Sequence, residues 1–387
     1  MTINIRSFAF RDAEQATYQA ARSVLEQLFP DLFFCYDDKG SDILYFVSGG
    51  SEREAIGALK PGRMYLLLAG KEGNSWAAAT EVKAWADHQG ISTILLSVEA
   101  PVAKQVIQMF TSVSKAFRSL NGKRAGLIGG VSHWLVASSF PPELAKERFG
   151  IIIESFPWEL LPDYLSYAPD PAFLNAFKNH QPEKLVNEAR VHHFLKGVIE
   201  KQQLDALTLE CFTMVKKDDV TACLSLALLN SEGMAAACEG DLVSLVGMML
   251  VQSLTGRVPW MANIASISDD QVLLAHCTAP LDSMSGFKVN THFETDRSAA
   301  VQGKVFGNEV TVFRLGMGLD KAFIAAGNIV SRPQHAFACR TQVEVSLSAG
   351  EVEKLRHTPL GNHHLIIPGN VTALLQLACQ YKNIRVV

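Results

Sequence analysis

At 387 residues, with 48% hydrophobic residues, 19% charged residues and a formal net charge of −4, the chain has the composition of two or three globular domains and lies outside the disordered class. No Lys/Arg cluster stands out and no apolar run reaches the ~18 residues that span a bilayer, which argues against a nucleic-acid partner and against a membrane span. The start MTINIRSFAF lacks a cleavable apolar leader, and the seven cysteines are scattered without a CxxC pair, so a reduced, cytoplasmic protein is expected.

In chain order, DILYFVSGG, RMYLLLAG and STILLSVEA have the apolar, β-branched content of buried strands. They alternate with helical spacing in EQATYQAARSVLEQLF, SWAAATEVKAWADHQ and AKQVIQMFTSVSKAFRSL, which predicts a Rossmann-like or flavodoxin-like α/β domain over residues 1–121. The pattern restarts at GKRAGLIGGVSHWLVAS, read as strand, Gly-Gly turn and helix. FGIIIESF, DALTLECF, AAACEGD and PWMANIAS then read as strands, with helices around Pro171–His180 and Glu183–Gln202 and in DDVTACLSLALLN and LVSLVGMMLVQSLTG. A second α/β domain is therefore expected over residues 122–280. Beyond Pro280 the segments VNTHFETD, SAAVQGKVFG, EVTVFRLG, KAFIAAGNIV and CRTQVEVSL are short and β-like, and a strand HLIIPG and a helix near Asn370 close the chain. These predict a β-rich, barrel-like or sandwich domain over residues 281–387.

Two patches set charged or imidazole groups among apolar residues: ACEGD, with Glu239 and Asp241, and LGNHH, with His363 and His364. Such groups are costly to bury unless a metal, a proton or a partner charge compensates them. An extended backbone puts Glu239 and Asp241 on one face, at a strand-to-helix edge where open α/β sheets bind ligands; equally, Asp241 caps the following helix and Glu239 is solvated. Adjacent histidines in a strand point to opposite faces, so at most one of His363 and His364 serves a given site. Oxygen ligands with one imidazole suit Mn²⁺ or a similar hard divalent ion. His276, His292, Glu294 and Arg340 are polar groups in β-like surroundings, with His292 and Glu294 again sharing a face. His192 and His193 lie in a polar helix and are expected to face solvent. GLIGGVSHW and LAGKEGNS lack complete dinucleotide and phosphate-loop spacing.

Taken together, ACEGDLVSLVGMML, LAHCTAPLD, THFETD, CRTQVEV and PLGNHHLIIPG, with VSGGSERE, GNSWAAATEV and IGGVSHWLVAS in the first half, resemble the shorter members of the L-fucose isomerase-like family, whose fold is also that of L-arabinose isomerase. The resemblance implies two α/β domains and a β-rich third, a trimer or hexamer, and a site between the second and third domains that a neighbouring subunit closes. It implies a divalent ion, typically Mn²⁺, on a Glu, an Asp and a His: Glu210 of LTLECF, Asp241 of CEGD and His363 of GNHH. Ser244 stands where the longer enzymes have a glycine.

The activity so implied is aldose–ketose isomerisation of a small sugar through an ene-diol, with Glu210, Glu239 and Asp241 as the proton-moving carboxylates and His276, His292, Glu294, Arg340 and His364 on the sugar's hydroxyls. The competing expectations are a non-catalytic sugar-binding or regulatory protein on the same fold, and a metal-dependent lyase or epimerase. Glu210 discriminates the first two: facing Asp241 and His363 it favours the enzyme, buried in the core it favours the binding protein.

Overall fold

The computed structural model describes residues 1–36 and 39–387, and the chain divides into two compact units. The first comprises residues 1–115 with 380–383. Its strands β1 (Thr2–Phe8), β2 (Phe33–Tyr36), β3 (Ile43–Phe46), β4 (Tyr65–Ala69) and β5 (Thr93–Ser97) form one sheet in the order β2-β1-β3-β4-β5. All pairs are parallel, and this order is the flavodoxin-like one. Every residue of β3 and β4 is buried, the condition under which a strand reads as an unbroken apolar run. β1 alternates instead, burying Ile3 and Ile5 between polar neighbours; so short an alternation beside the chain start was not expected as a strand. Helices α1 (Gln15–Leu28), α2 (Glu52–Ile56), α3 (Ser75–His88) and α4 (Ala103–Leu120) complete the α/β pattern.

In the second unit, β6 (Arg124–Ile128), β7 (Ile152–Phe156), β8 (Ala206–Leu209) and β9 (Ala235–Cys238) form a parallel sheet in the order β7-β6-β8-β9. Its helices are α5 (Pro142–Phe149), α6 (Pro171–Ala176), α7 (Val186–Gln202), α8 (Phe212–Asp218), α9 (Cys223–Ser231) and α10 (Leu242–Thr255). The helix expected within GGVSHWLVAS does not form. Residues 131–141 run irregularly because their backbone groups bond elsewhere, the amide of Ser132 to the carbonyl of Glu239 and the carbonyl of Ser138 to the amide of Leu242; the helix starts only at Pro142. His192 is buried on α7, against expectation, and its burial pushes the imidazole pKa down to about 4. His193 is exposed.

The β-rich part holds β10 (Trp260–Ile267), β11 (Gln271–His276), a hairpin of β12 (Met284–Asn290) and β13 (Ala300–Val305), then β14 (Glu309–Leu315), β15 (Lys321–Ser331), β16 (Thr341–Ser346), helix α11 (Ala349–His357), β17 (His363–Pro368), helix α12 (Thr372–Tyr381) and β18 (Arg385–Val386). The order β14-β17-β10-β11-β16-β15 closes on itself through β14–β15, and β18 adds to β15. The closed ring is a six-stranded antiparallel barrel, as its short alternating strands suggest. β10, expected within the second α/β sheet, pairs antiparallel with β11 and β17 instead. β12 ends at Asn290, so His292 and Glu294 lie on a loop and not on a strand face.

The barrel interior is filled by Val272, Leu274, Val310, Val312, Phe323, Val343, Val345 and Ile366, each removing roughly 2 kcal/mol worth of apolar surface from water. Helix α10 packs on β8 and β9 with one side and on β14 and β17 with the other. That double contact explains why LVSLVGMMLV is apolar all round, and the α10 N-terminus is thereby fixed at the junction of sheet and barrel.

Candidate functional site

β8 and β9 run in register, Leu209 opposite Cys238, so the next residues, Glu210 and Glu239, leave the carboxyl edge of the sheet side by side. β9 ends in a turn in which Glu239 (φ 61°) and Gly240 (φ 73°) are both left-handed. Only glycine fits the second position, because a Cβ there would lie 2.0 Å from the carbonyl oxygen of Gly130. A glutamate at the first position carries on the order of 1 kcal/mol of strain. It is held there by the Ser132 amide on its carbonyl (3.0 Å) and by the Trp134 indole N–H on its Oε2 (2.7 Å). Asp241 then caps α10, accepting the amide of Ser244 at 2.7 Å and its hydroxyl at 2.9 Å.

The turn brings both carboxylates of CEGD to one imidazole, from opposite sides. Asp241 Oδ2 lies 2.8 Å from His363 Nδ1, and Glu239 Oε1 lies 3.7 Å from His363 Nε2. His276, the last residue of β11, points its Nε2 at the same Oε1, 3.8 Å away, while its Nδ1 shares a hydrogen bond with the Thr278 hydroxyl at 3.0 Å. The imidazoles of His276 and His363 meet edge to face, 5.4 Å between centroids. Both Nε2 atoms are buried and make no hydrogen bond among the described residues. One donor atom from each of Glu239, His276 and His363 lies within 4.8 Å of the others.

The electrostatics follow from this packing. Burial alone would raise the Glu239 carboxyl, but His363, His276 and the Trp134 N–H bring its pKa down to about 2. Burial opposes ionisation of Asp241 as well; the Arg314 guanidinium and His363 overcome it and hold the carboxyl well below the usual range. Burial likewise disfavours a charged His363, but the two carboxylates raise its pKa to about 9. His276 is pushed down to about 3 by burial and by its neighbour His363. Since an ionised Asp241 can only accept, the Nδ1 of His363 donates to it and Nε2 is the atom left facing Glu239.

Arg314, on β14, was not singled out in the sequence, where the only trace is one charge inside EVTVFRLG. It is among the largest fully buried side chains and sits 3.5 Å from Asp241 Oδ2. It also donates to the Ser244 hydroxyl (3.3 Å), the carbonyl of His363, the carbonyl of Ala137 (3.2 Å) and the Ser138 hydroxyl (3.0 Å). One buried cation therefore ties the 131–141 segment, α10 and β17 together. Trp134 was likewise not singled out, being read only as part of the segment IGGVSHWLVAS.

The other expected residues are placed as follows. Glu210 is half-buried and takes the Trp158 indole N–H (3.3 Å) and the amide of Thr213 (3.2 Å); it lies outside the group of Glu239, His276 and His363. His364 points to the other side of β17, against Phe323 (5.8 Å), as strand alternation requires, and burial lowers its pKa to about 3. His292 is buried and faces Glu294 across 4.0 Å; burial raises the Glu294 carboxyl, and the nearby Glu239 charge adds to the shift. Arg340 binds the Thr291 carbonyl (2.7 Å), the Thr291 hydroxyl (2.9 Å) and Asp296 (3.1 Å), clamping the loop that carries His292.

A divalent ion fits this arrangement. Two buried imidazole nitrogens without partners and one carboxylate oxygen, spaced too far apart to bond each other, form a donor set with one more nitrogen than expected, of the sort that borderline divalent ions such as Zn²⁺ take most readily and that Mn²⁺ also accepts. Asp241 behind His363 is then a carboxylate that orients a histidine ligand.

No family model matches the chain. It is similar to proteins named sulfoquinovose isomerase: 21% identical over 281 residues to those of Priestia aryabhattai and Priestia megaterium, and 23% identical over 191 residues to that of Alkalicoccus urumqiensis. The Priestia matches take in 67% of this chain and 63% of each relative, less than two thirds of the relatives' length. The match to the Alkalicoccus protein takes in 46% of this chain and 43% of that relative. No helix among the described residues is long and apolar enough to cross a membrane.

Proposed function

We propose that the chain is a metal-dependent aldose–ketose isomerase whose divalent ion, with Mn²⁺ the first to test, is held by Glu239, His276 and His363. The observation that carries the reading is the convergence of two buried, unpartnered imidazole Nε2 atoms on one oxygen of Glu239. The similarity to proteins named sulfoquinovose isomerase supports it. In this reading His276 and Glu239 join His363 as ligands, and Asp241 acts through His363.

When bound, the ion supplies stabilisation of negative charge on the sugar's two reacting oxygens. The chain's own residues do the rest. Asp241, kept ionised by Arg314, accepts the Nδ1–H hydrogen bond of His363 and so leaves Nε2 as the nitrogen that gives up its proton when the ion binds. Glu210, beside Glu239 on the neighbouring strand and in reach of solvent, carries the proton between the sugar's adjacent carbons. His292 and Glu294, near enough to Glu239 to feel its charge, hold the remaining hydroxyls, and Arg340 fixes the loop that carries them. The chain works in the cytoplasm on a small sugar, as a homo-oligomer.

The test is conversion of aldoses, sulfoquinovose among them, by Mn²⁺-loaded protein, followed by NMR and paired with Mn²⁺ titration. The reading expects turnover that His363→Ala and His276→Ala abolish together with ion binding. Ion binding by neither the native chain nor its variants would overturn it. One observation favours a second reading, that of a sugar-binding protein: Glu210 is engaged by Trp158 and the Thr213 amide instead of facing His363. Sugar binding with no turnover of any aldose would select that reading.

A further inference from the structure

We propose that Trp134 couples the two halves of this site: its indole N–H sets the ion-holding carboxylate, and the exposed part of its ring is the wall against which the apolar C–H face of the sugar lies. The inference rests on the isomerase reading and assigns a specificity-determining residue to it.

The first half comes from the carboxylate of Glu239. Its two oxygens have different neighbours, Oε2 taking the Trp134 N–H at 2.7 Å and Oε1 facing His276 and His363 at 3.8 and 3.7 Å. The indole therefore fixes the rotation of the carboxylate and leaves one oxygen for an ion. A buried carboxylate without that donor would turn about its last bond and lose this alignment, which is how partners behind a ligand govern metal affinity.

The second half comes from the ring. Trp134 is 40% exposed, yet it is not free to move. Its ring meets those of Phe212 at 4.7 Å and 82° and His133 at 4.7 Å and 76°. Phe212 in turn meets His292 at 5.7 Å, so a row of rings leads from Trp134 to the loop clamped by Arg340. The segment carrying Trp134 is pinned at both ends, by the Ser132 amide on Glu239 and by Arg314 on Ala137 and Ser138. An aromatic ring that is partly exposed, held in place and adjacent to unpartnered polar atoms suits a ligand with one apolar face and several hydroxyls. The negative face of the indole attracts the weakly positive C–H groups of a sugar ring. Ser132, two residues before Trp134, has a buried hydroxyl with no partner among the described residues, and a sugar hydroxyl would satisfy it.

Because N–H and ring face do separate jobs, two variants separate them. Trp134→Phe keeps a ring and removes the donor: Mn²⁺ affinity, read by electron paramagnetic resonance titration, should fall roughly tenfold, with KM nearly unchanged at saturating ion. Trp134→Ala removes both, and KM at saturating ion should rise roughly fivefold beyond the loss of ion affinity. Trp76→Phe, at an exposed tryptophan of the other unit, is the control that changes neither. Native-like ion affinity in Trp134→Phe overturns the first half, and an unchanged KM in Trp134→Ala overturns the second. Failure of the isomerase reading shows separately, as native protein that binds no Mn²⁺, and removes this inference with it.

Discussion

His363 stands between two carboxylates, and its protonation decides what the site can hold. Without an ion its pKa is raised to about 9, so at neutral pH it is an imidazolium and an ion at Nε2 must displace one proton. Divalent-ion affinity should therefore climb about tenfold per pH unit between about pH 7 and about 9 and then level off, with one proton released per ion. The fold responds with the opposite sign. A pKa raised above the ordinary 6.5 stabilises the metal-free protein fully below that value, and the gain is lost as pH rises through about 9. Mn²⁺ titration with proton counting checks the first statement, and an affinity flat across that window would refute it.

Asp241 gives a second expectation. Asp241→Asn leaves the buried Arg314 without its charge partner, so stability should fall by about 3 kcal/mol and ion affinity by roughly tenfold or more; adding Arg314→Met should recover stability but not affinity. Denaturant unfolding of the single and double variants reads this directly. At this scale Glu239, Asp241 and His363 stood out in the sequence as charged or imidazole groups inside apolar runs, but the ion was assigned to Glu210, Asp241 and His363, and His276 to the sugar, whereas Glu239, His276 and His363 are the residues whose donor atoms converge. Arg314 and Trp134 stayed hidden, since their meaning lies in contacts with residues far along the chain, such as Asp241 for Arg314 and Glu239 for Trp134.

Elements impose their own limits. The CEGD turn works only because Gly240 lets the backbone pass the Gly130–Val131 segment. In Gly240→Ala the new Cβ meets the Gly130 carbonyl oxygen at 2.0 Å at a φ of 73°, so a loss of about 2 to 4 kcal/mol is expected from clash and backbone strain together. Thermal melting checks it, and a melting temperature within a degree or so of native would mean the turn is not constrained in this way. Most strands and helices of the α/β parts were legible from periodicity, though β1 and β2 were not, and the β-rich character of the C-terminal region was legible as well. Residues 131–141 were not legible, because Gly-Gly followed by an apolar stretch suits either a helix or a segment whose hydrogen bonds go to a distant turn. β10 has the composition of any buried strand, and only its antiparallel pairing with β11 and β17 assigns it to the barrel.

For the whole molecule, an ion held by residues from β9, β11 and β17 should stabilise one unit selectively. All of these residues belong to the unit of residues 116–379 and 384–387. An ion at about one hundred times its Kd contributes about 2.7 kcal/mol. Hydrogen exchange should slow in β9, β11, β17 and residues 131–138 and stay unchanged in β1 to β5; equal slowing in both units would contradict a site built as described.

Barrel closure has a consequence of another kind. A ring of paired strands offers no row of unpaired amides for a foreign strand to dock on, so the barrel itself is guarded against templated aggregation. Open edges remain among the described residues at the ends of the two parallel sheets and in the β12–β13 hairpin, and of these strands β2 carries the most exposed aromatic ring, Phe33, 70% exposed. In a crowded or freshly synthesised population of chains, the short edge of the α/β sheet is the place where self-association would begin.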